Sequence, residues 1–180
     1  EASGLAALIV FSEARRGAQR DAVGAFNPLS QQDTGLWDTA MIEEAEQHLA
    51  RAAACGRPGP YQIEAAIQSV HCDRAKTGRT NWTAIAVFYD ALVAMAPSVG
   101  AKVAKAAARA EVDGPAAGLA LLEAIPQDAA AAYQPYWAVR AHLERRMGQT
   151  AEAAFAKAID LAVDASIKRY LATQRDSEES

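Results

Sequence analysis

The chain has 180 residues, 51% of them hydrophobic and 22% charged, with a formal net charge of −4. That length holds one sizeable core or a short array of helical repeats, and the apolar content excludes a disordered tail. The acidic balance excludes a fragment that grips nucleic acid by itself, because its basic pairs, Arg15-Arg16 and Arg145-Arg146, are short and set among acids.

The chain opens on "EASGLAALIVFSEARR", without a Met and already helical in pattern, which predicts a piece of a longer protein. No apolar run is long enough to span a bilayer, so no membrane partner is expected. The two cysteines, Cys55 and Cys72, read as reduced thiols in a cytoplasmic protein.

Alanine dominates and strand-like alternation is nearly absent, so the pattern predicts an all-α chain of about eight or nine helices. The first helix runs from Ala2 to Arg16. A glycine-punctuated loop follows over 17–32, with room for a short hairpin. Asp33 is the expected cap of a second helix reaching Cys55, with the stripe Trp37, Met41, Ala45, Leu49, Ala52. Gly56 then stands where a left-handed cap is wanted, and Pro60 where the first turn has no amide to lose.

A third helix carries Ile63, Ala66, Ile67 and Val70, and Asp73 to Thr80 breaks it. Asn81 caps a fourth, striped by Trp82, Ile85, Ala86, Tyr89, Leu92 and Val93 and ended by Pro97. Further helices are expected over 98–112, 115–125, 129–147, 150–163 and 165–175. Residues 1–97 form an N-terminal helical part and 98–176 a repeat region within a single compact domain, and 177–180 read as a disordered acidic tail.

"GPAAGLALLEAI" from Gly114 returns as "GQTAEAAFAKAI" from Gly148. At an offset of 34 residues, Ala117 matches Ala151, Ala120 matches Ala154, Leu121 matches Phe155 and Ala124 matches Ala158. That is the tetratricopeptide period, and it predicts a right-handed superhelix of helical hairpins. Trp137 and Ala141 precede Gly148 at first-helix spacing, and the turn between the helices is about two residues tighter than the usual pattern.

"CGRPGPYQ" raises the question of a phosphate loop. Pro58 and Pro60 have no amide to offer an anion, and the Gly-Lys-Ser/Thr ending is absent, so the stretch reads as a corner between helices. His71 and Cys72 are adjacent and point about 100° apart on a helix, a poor pair for one metal. Glu44 and His48 share a face, but no His/Cys cluster has zinc-like spacing and no serine stands in a nucleophile elbow. We expect no catalysis, no metal and no cofactor.

Among the aromatics, Trp37, Trp82 and Trp137 read as core. Tyr133, Tyr136 and His142 are groove candidates, with Arg145 and Arg146 offering charge to an acidic peptide. Arg57 and Gln62 at the corner, with Arg15 and Arg16, complete the partner-binding candidates.

"SEARRGAQRD", "QQDTGLWDTAMIEEAEQHLARA", "GRPGPYQIEAAIQSVH", "NWTAIAVFYDALVAMAPS" and "AEVDGPAAGLALLEAI" occur in an order that resembles bacterial extracytoplasmic-function sigma factors, of the sigma-70 family, with a C-terminal tetratricopeptide-like domain. The resemblance covers nearly the whole chain. It implies a C-terminal regulatory domain whose partners are its own sigma regions, core RNA polymerase or a regulatory protein or peptide. The sigma regions themselves are not in this sequence. Where the family shows Leu-Asn-Arg-Ala, the chain reads Val103-Ala104-Lys105-Ala106, so an asparagine that clamps a ligand backbone in peptide-binding repeats is replaced by Ala104. The alternative is a free-standing helical-repeat adaptor for an acidic peptide.

Overall fold

The structure, a computed structural model, describes residues 1–177, and every regular element among them is helical. Nine helices exceed one turn, within the expected number, and two single turns join them. The last three residues of the expected tail lie outside the described residues. The chain divides into two compact units: residues 1–23 with 27–96, and residues 24–26 with 97–180. The division at Ala96/Pro97 falls one residue before the expected one. Each unit has its own buried core, which is why the chain separates there.

The first unit contains α1 (Ala2–Ala14), α2 (Thr39–Ala54), α3 (Pro60–Cys72), the single turn α4 (Arg74–Thr77) and α5 (Trp82–Met95). Helix α1 packs on both α2 and α3, and α5 packs on α3. Phe11 and Ala7 of α1, Ala45 of α2 and Ala65 of α3 are fully buried at the centre. Small residues at these contacts let the helix backbones approach, and Phe11 fills the space between them.

The irregular stretch after α1 runs further than expected. Asp33 caps only the 3-10 turn Thr34–Leu36, its Oδ1 accepting from the Gly35 N–H at 2.8 Å. The cap of α2 is Asp38, whose Oδ1 accepts from the Met41 N–H at 3.0 Å. Trp37 therefore lies ahead of α2 rather than on it, yet is only 5% exposed. The expected caps at Gly56 (φ 63°), Pro60 and Asn81 are all in place.

The second unit contains α6 (Val99–Asp113), α7 (Pro115–Glu123), the single turn α8 (Gln127–Ala130), α9 (Gln134–Arg146), α10 (Glu152–Leu161) and α11 (Ala165–Asp176). Ser98 Oγ caps α6, accepting from the Ala101 N–H at 3.0 Å. The helix expected over 129–147 is broken, because Pro135 has no amide to continue a ladder and sits instead in the first turn of α9.

The repeat is realised as two hairpins, α6 with α7 and α9 with α10. Gly114 (φ 91°) and Gly148 (φ 68°) both turn the chain between helices in the left-handed region. The buried faces correct the alignment of the second helices by one residue. Gly118, Leu122 and Ile125 are buried in the first hairpin; Ala151, Phe155 and Ala158 are buried in the second. These correspond at 33 residues, whereas Ala120 and Ala124, matched at 34, are exposed. In the first helices Ala106 and Ala108 correspond to Ala141 and Leu143. The second hairpin is thus two residues tighter than the first between equivalent buried positions.

Two layers of core follow. Val103, Ala106, Leu122, Tyr136 and Leu143 fill the first; Ala141, Ala154, Phe155 and Leu171 fill the second. Trp137 packs against both. Each hairpin buries one face on its neighbour, the condition for a helical repeat to be stable.

Candidate functional site

The corner between α2 and α3 is built around a close helix crossing. At Gly4, a Cβ would lie 2.7 Å from the Gln62 amide nitrogen and 2.9 Å from its Cα. At Gly59, a Cβ would overlap the Glu1 carboxylate. The Tyr61 N–H donates to that carboxylate, to Oε2 at 3.3 Å. A negative side chain therefore already occupies the positive end of α3, where free amides would otherwise hold a phosphate. Gly4 makes the crossing of α1 over α3, Gly59 leaves room for the Glu1 carboxylate, and Gly56 and Pro60 end α2 and open α3. Glu64 nearby has its pKa raised, first by burial and then by Glu1.

Of the two contact candidates here, Gln62 is half-buried with its backbone against α1, and Arg57 is exposed. Tyr61 beside them is exposed.

The other end of the first unit holds a polar cluster. Arg15 is only 8% exposed, so it is not a surface residue. Its Nη1 donates to Cys72 Sγ at 3.5 Å, its Nη2 donates to Gln68 Oε1, and its guanidinium lies 5.9 Å from the centre of the Trp37 ring. Arg74 lies 5.0 Å from the same ring centre. It donates from Nη1 to the Ser30 carbonyl and from Nη2 to the Gln32 carbonyl, each at 2.8 Å. Cation–π contact and neutral acceptors hold both guanidiniums.

His71 feels this cluster. Burial first, then the charges of Arg15 and Arg74, push its pKa down from 6.5 to about 4, so the imidazole is neutral at pH 7. Its ring stands edge-on to Trp82, 5.5 Å between centres. Burial raises the Cys72 thiol above its ordinary value, against the opposing pull of Arg15. A neutral buried thiol beside a neutral imidazole is a packed core edge, not an activated nucleophile. Arg16, by contrast, is exposed and paired with Glu13 at 3.0 Å.

The groove candidates of the second unit do not share one surface. Tyr136 is fully buried: its hydroxyl accepts from Gln127 Nε2 and Arg140 Nη1, each at 3.4 Å, and it presents nothing to a partner. Arg140 also donates from Nε to Glu144 Oε1 at 2.7 Å. Arg145 is turned to α11, donating to the Gln174 carbonyl at 2.9 Å and to its Oε1 at 2.8 Å, with Phe155 under its guanidinium at 5.6 Å. Arg146 pairs with Glu111 of α6. Tyr133 is half-buried against the first core layer, its hydroxyl 3.0 Å from where a Cβ on Gly100 would stand. His142 is exposed. Ala104 is half-buried on α6.

Arg74, Gln32 and Gln68 escaped sequence reasoning. The hydrogen-bond partners of Arg74 and Gln68 lie 42 to 53 residues away, and Gln32, whose side chain meets Asn27 and Trp37 five residues off, stands in a stretch without periodicity. Among the described residues, no group of three or more His, Cys, Asp or Glu is placed to hold a metal ion, and no helix is long and apolar enough to cross a membrane.

Residues 1–53 match a family of unknown function, DUF6596. The chain is also similar to an uncharacterized protein of Rhizobium meliloti (strain 1021), at 37% identity over 178 residues. The match covers 98% of this chain and 42% of that protein, so the chain spans less than half the length of the curated relative it matches. No solved structure matches the chain.

Proposed function

We propose that the chain is the C-terminal regulatory, protein-interaction domain of an extracytoplasmic-function sigma factor. On this reading it acts in the cytoplasm through contacts with its own sigma regions or with core RNA polymerase, without catalysis and without a cofactor. The observation that carries the reading is the pair of stretches "GRPGPYQ" and "EVDGPAAGLALL". They belong to the sigma-factor resemblance, and each occupies a demanding place in the fold. Gly59 leaves room for the Glu1 carboxylate at the start of α3, which Pro60 opens, and Gly114, Pro115 and Gly118 build the α6–α7 hairpin. A family signature fixed by architecture is what a scaffold for protein contacts would keep. The stacked hairpins of the second unit support the same reading, since repeats of this kind offer surface rather than a reaction centre.

The test is the intact gene and its product. The reading expects an open reading frame with sigma regions ahead of Glu1 and a product that binds core RNA polymerase. A reading frame starting near Glu1, or an intact product that ignores core polymerase, sinks it and puts the free-standing adaptor first. The adaptor has its own check: acidic-peptide binding that survives His142→Ala and Arg57→Ala rejects these two candidates.

A further inference from the structure

We propose that residues 27–37 form a strap that opens as a unit, with Arg74 as its latch. The strap is pinned at one end to the 3-10 turn Arg16–Ala18 and the residue after it, and at the other to the end of α1. At one end the Asn27 N–H donates to the Gln19 carbonyl at 2.9 Å and its side chain to the Ala18 carbonyl at 3.3 Å. At the other, the Asp38 N–H donates to the Ala14 carbonyl at 2.9 Å. Between these hinges the strap holds its own shape through Gln32. That side chain donates from Nε2 to the Asn27 carbonyl at 3.2 Å and accepts at Oε1 from the Trp37 indole N–H at 3.3 Å.

The hydrogen bonds that fasten the middle of the strap to the helices come, among the described residues, from one side chain. Arg74 bridges the Ser30 and Gln32 carbonyls and stacks on Trp37. A planar guanidinium can reach two carbonyls and lie on a ring at once; a lysine ammonium cannot. With the latch closed, Trp37 is buried between Arg74 and Arg15. With it open, Trp37 leaves the cluster it shares with Phe11, Ala14 and Ala45, while the direct contacts of α1 with α2 and α3 remain. An irregular segment of this kind, hinged at both ends, resting on the core through Leu29 and Trp37 and hydrogen-bonded at its middle by one side chain, is where a fold opens below its global unfolding energy.

The experiment is limited chymotrypsin digestion of the full chain, read at Leu29, Leu36 and Trp37, with helical circular dichroism melts alongside. Arg74→Ala is expected to raise cutting within the strap about tenfold or more, since cutting follows the open population, with helix melting within a few degrees of the parent. Arg74→Lys is expected to resemble Arg74→Ala. Strap cutting within twofold of the parent in both variants overturns the latch. Should Arg74→Ala fail to fold, amide exchange on the unaltered chain decides. Strap amides exchanging well before those of α2 and α3 support the opening, and strap amides exchanging only with global unfolding overturn it.

Discussion

The two units reach stability by different routes. The second repeats one device: a helix, a left-handed glycine, a second helix, and a face of small residues closed by one large side chain, Leu122 in the first hairpin and Phe155 in the second. The first unit has no such period. Its parts are joined by single long-range contacts: Gly4 on Gln62, Glu1 on the start of α3, Arg15 on Gln68 and Cys72, Arg74 on the strap. Repeated packing spreads stability over many small contacts, whereas the first unit concentrates it at a few residues whose loss is felt alone.

The largest expected effect comes from the centre of the first unit. Phe11→Ala removes a ring buried completely where α1 meets its neighbours, and about 3–5 kcal/mol of stability should go with it in denaturant titration. A cost near 1 kcal/mol would mean that this core collapses around the gap.

Acid should act on the first unit through His71. Its folded pKa is about 4 against 6.5 in the unfolded chain, so the unfolded state takes up the proton first. Stability is therefore whole above pH 6.5 and falls as pH drops toward 4, by at most about 3 kcal/mol. His71→Gln should flatten that part of the pH–stability curve; an unchanged slope would show that other groups carry it.

The two hairpins can be set against each other at equivalent positions. Gly118 has no room for a methyl group: a Cβ would stand 2.6 Å from Ala110 Cβ and 2.7 Å from the Ala106 carbonyl oxygen. Its counterpart is Ala151, fully buried. Gly118→Ala should cost about 1–3 kcal/mol by overpacking, and Ala151→Gly about 1 kcal/mol by added chain entropy and lost packing. If Gly118→Ala stabilises, the hairpins share one spacing and the 33-residue register is wrong.

The smallest effect in energy concerns the thiols. Cys55 is exposed and Cys72 is 3% exposed with its pKa raised. One thiol per chain should react promptly with a thiol reagent and the second only as fast as the chain opens, as a time course would record. Two fast thiols would contradict the closed cluster around Arg15.

The same contrast explains what could be read from the sequence. Caps and breakers act within four residues, so Gly56, Pro60, Asn81 and Pro97 marked their helix ends. Asp33 misled because Asp38, five residues on, has the same capping chemistry, and only the turn between them decides which begins the long helix. The repeat was visible at its glycines, but a row of alanines looks alike after a slip of one residue, so the buried faces were misplaced until packing settled them. Tyr136 and Arg15 looked like surface contacts because nothing local tells a buried polar group with distant partners from an exposed one. Arg74 carried no signal for the same reason.

We propose that this domain regulates a sigma factor. The most direct measurement is transcription from a cognate promoter by the intact protein and by one ending just before this segment, with binding of both to core polymerase as control. We predict that truncation changes transcription while core binding persists. A rise marks an autoinhibitory contact, and a loss marks a required docking surface. Equal transcription by the two proteins would contradict the claim.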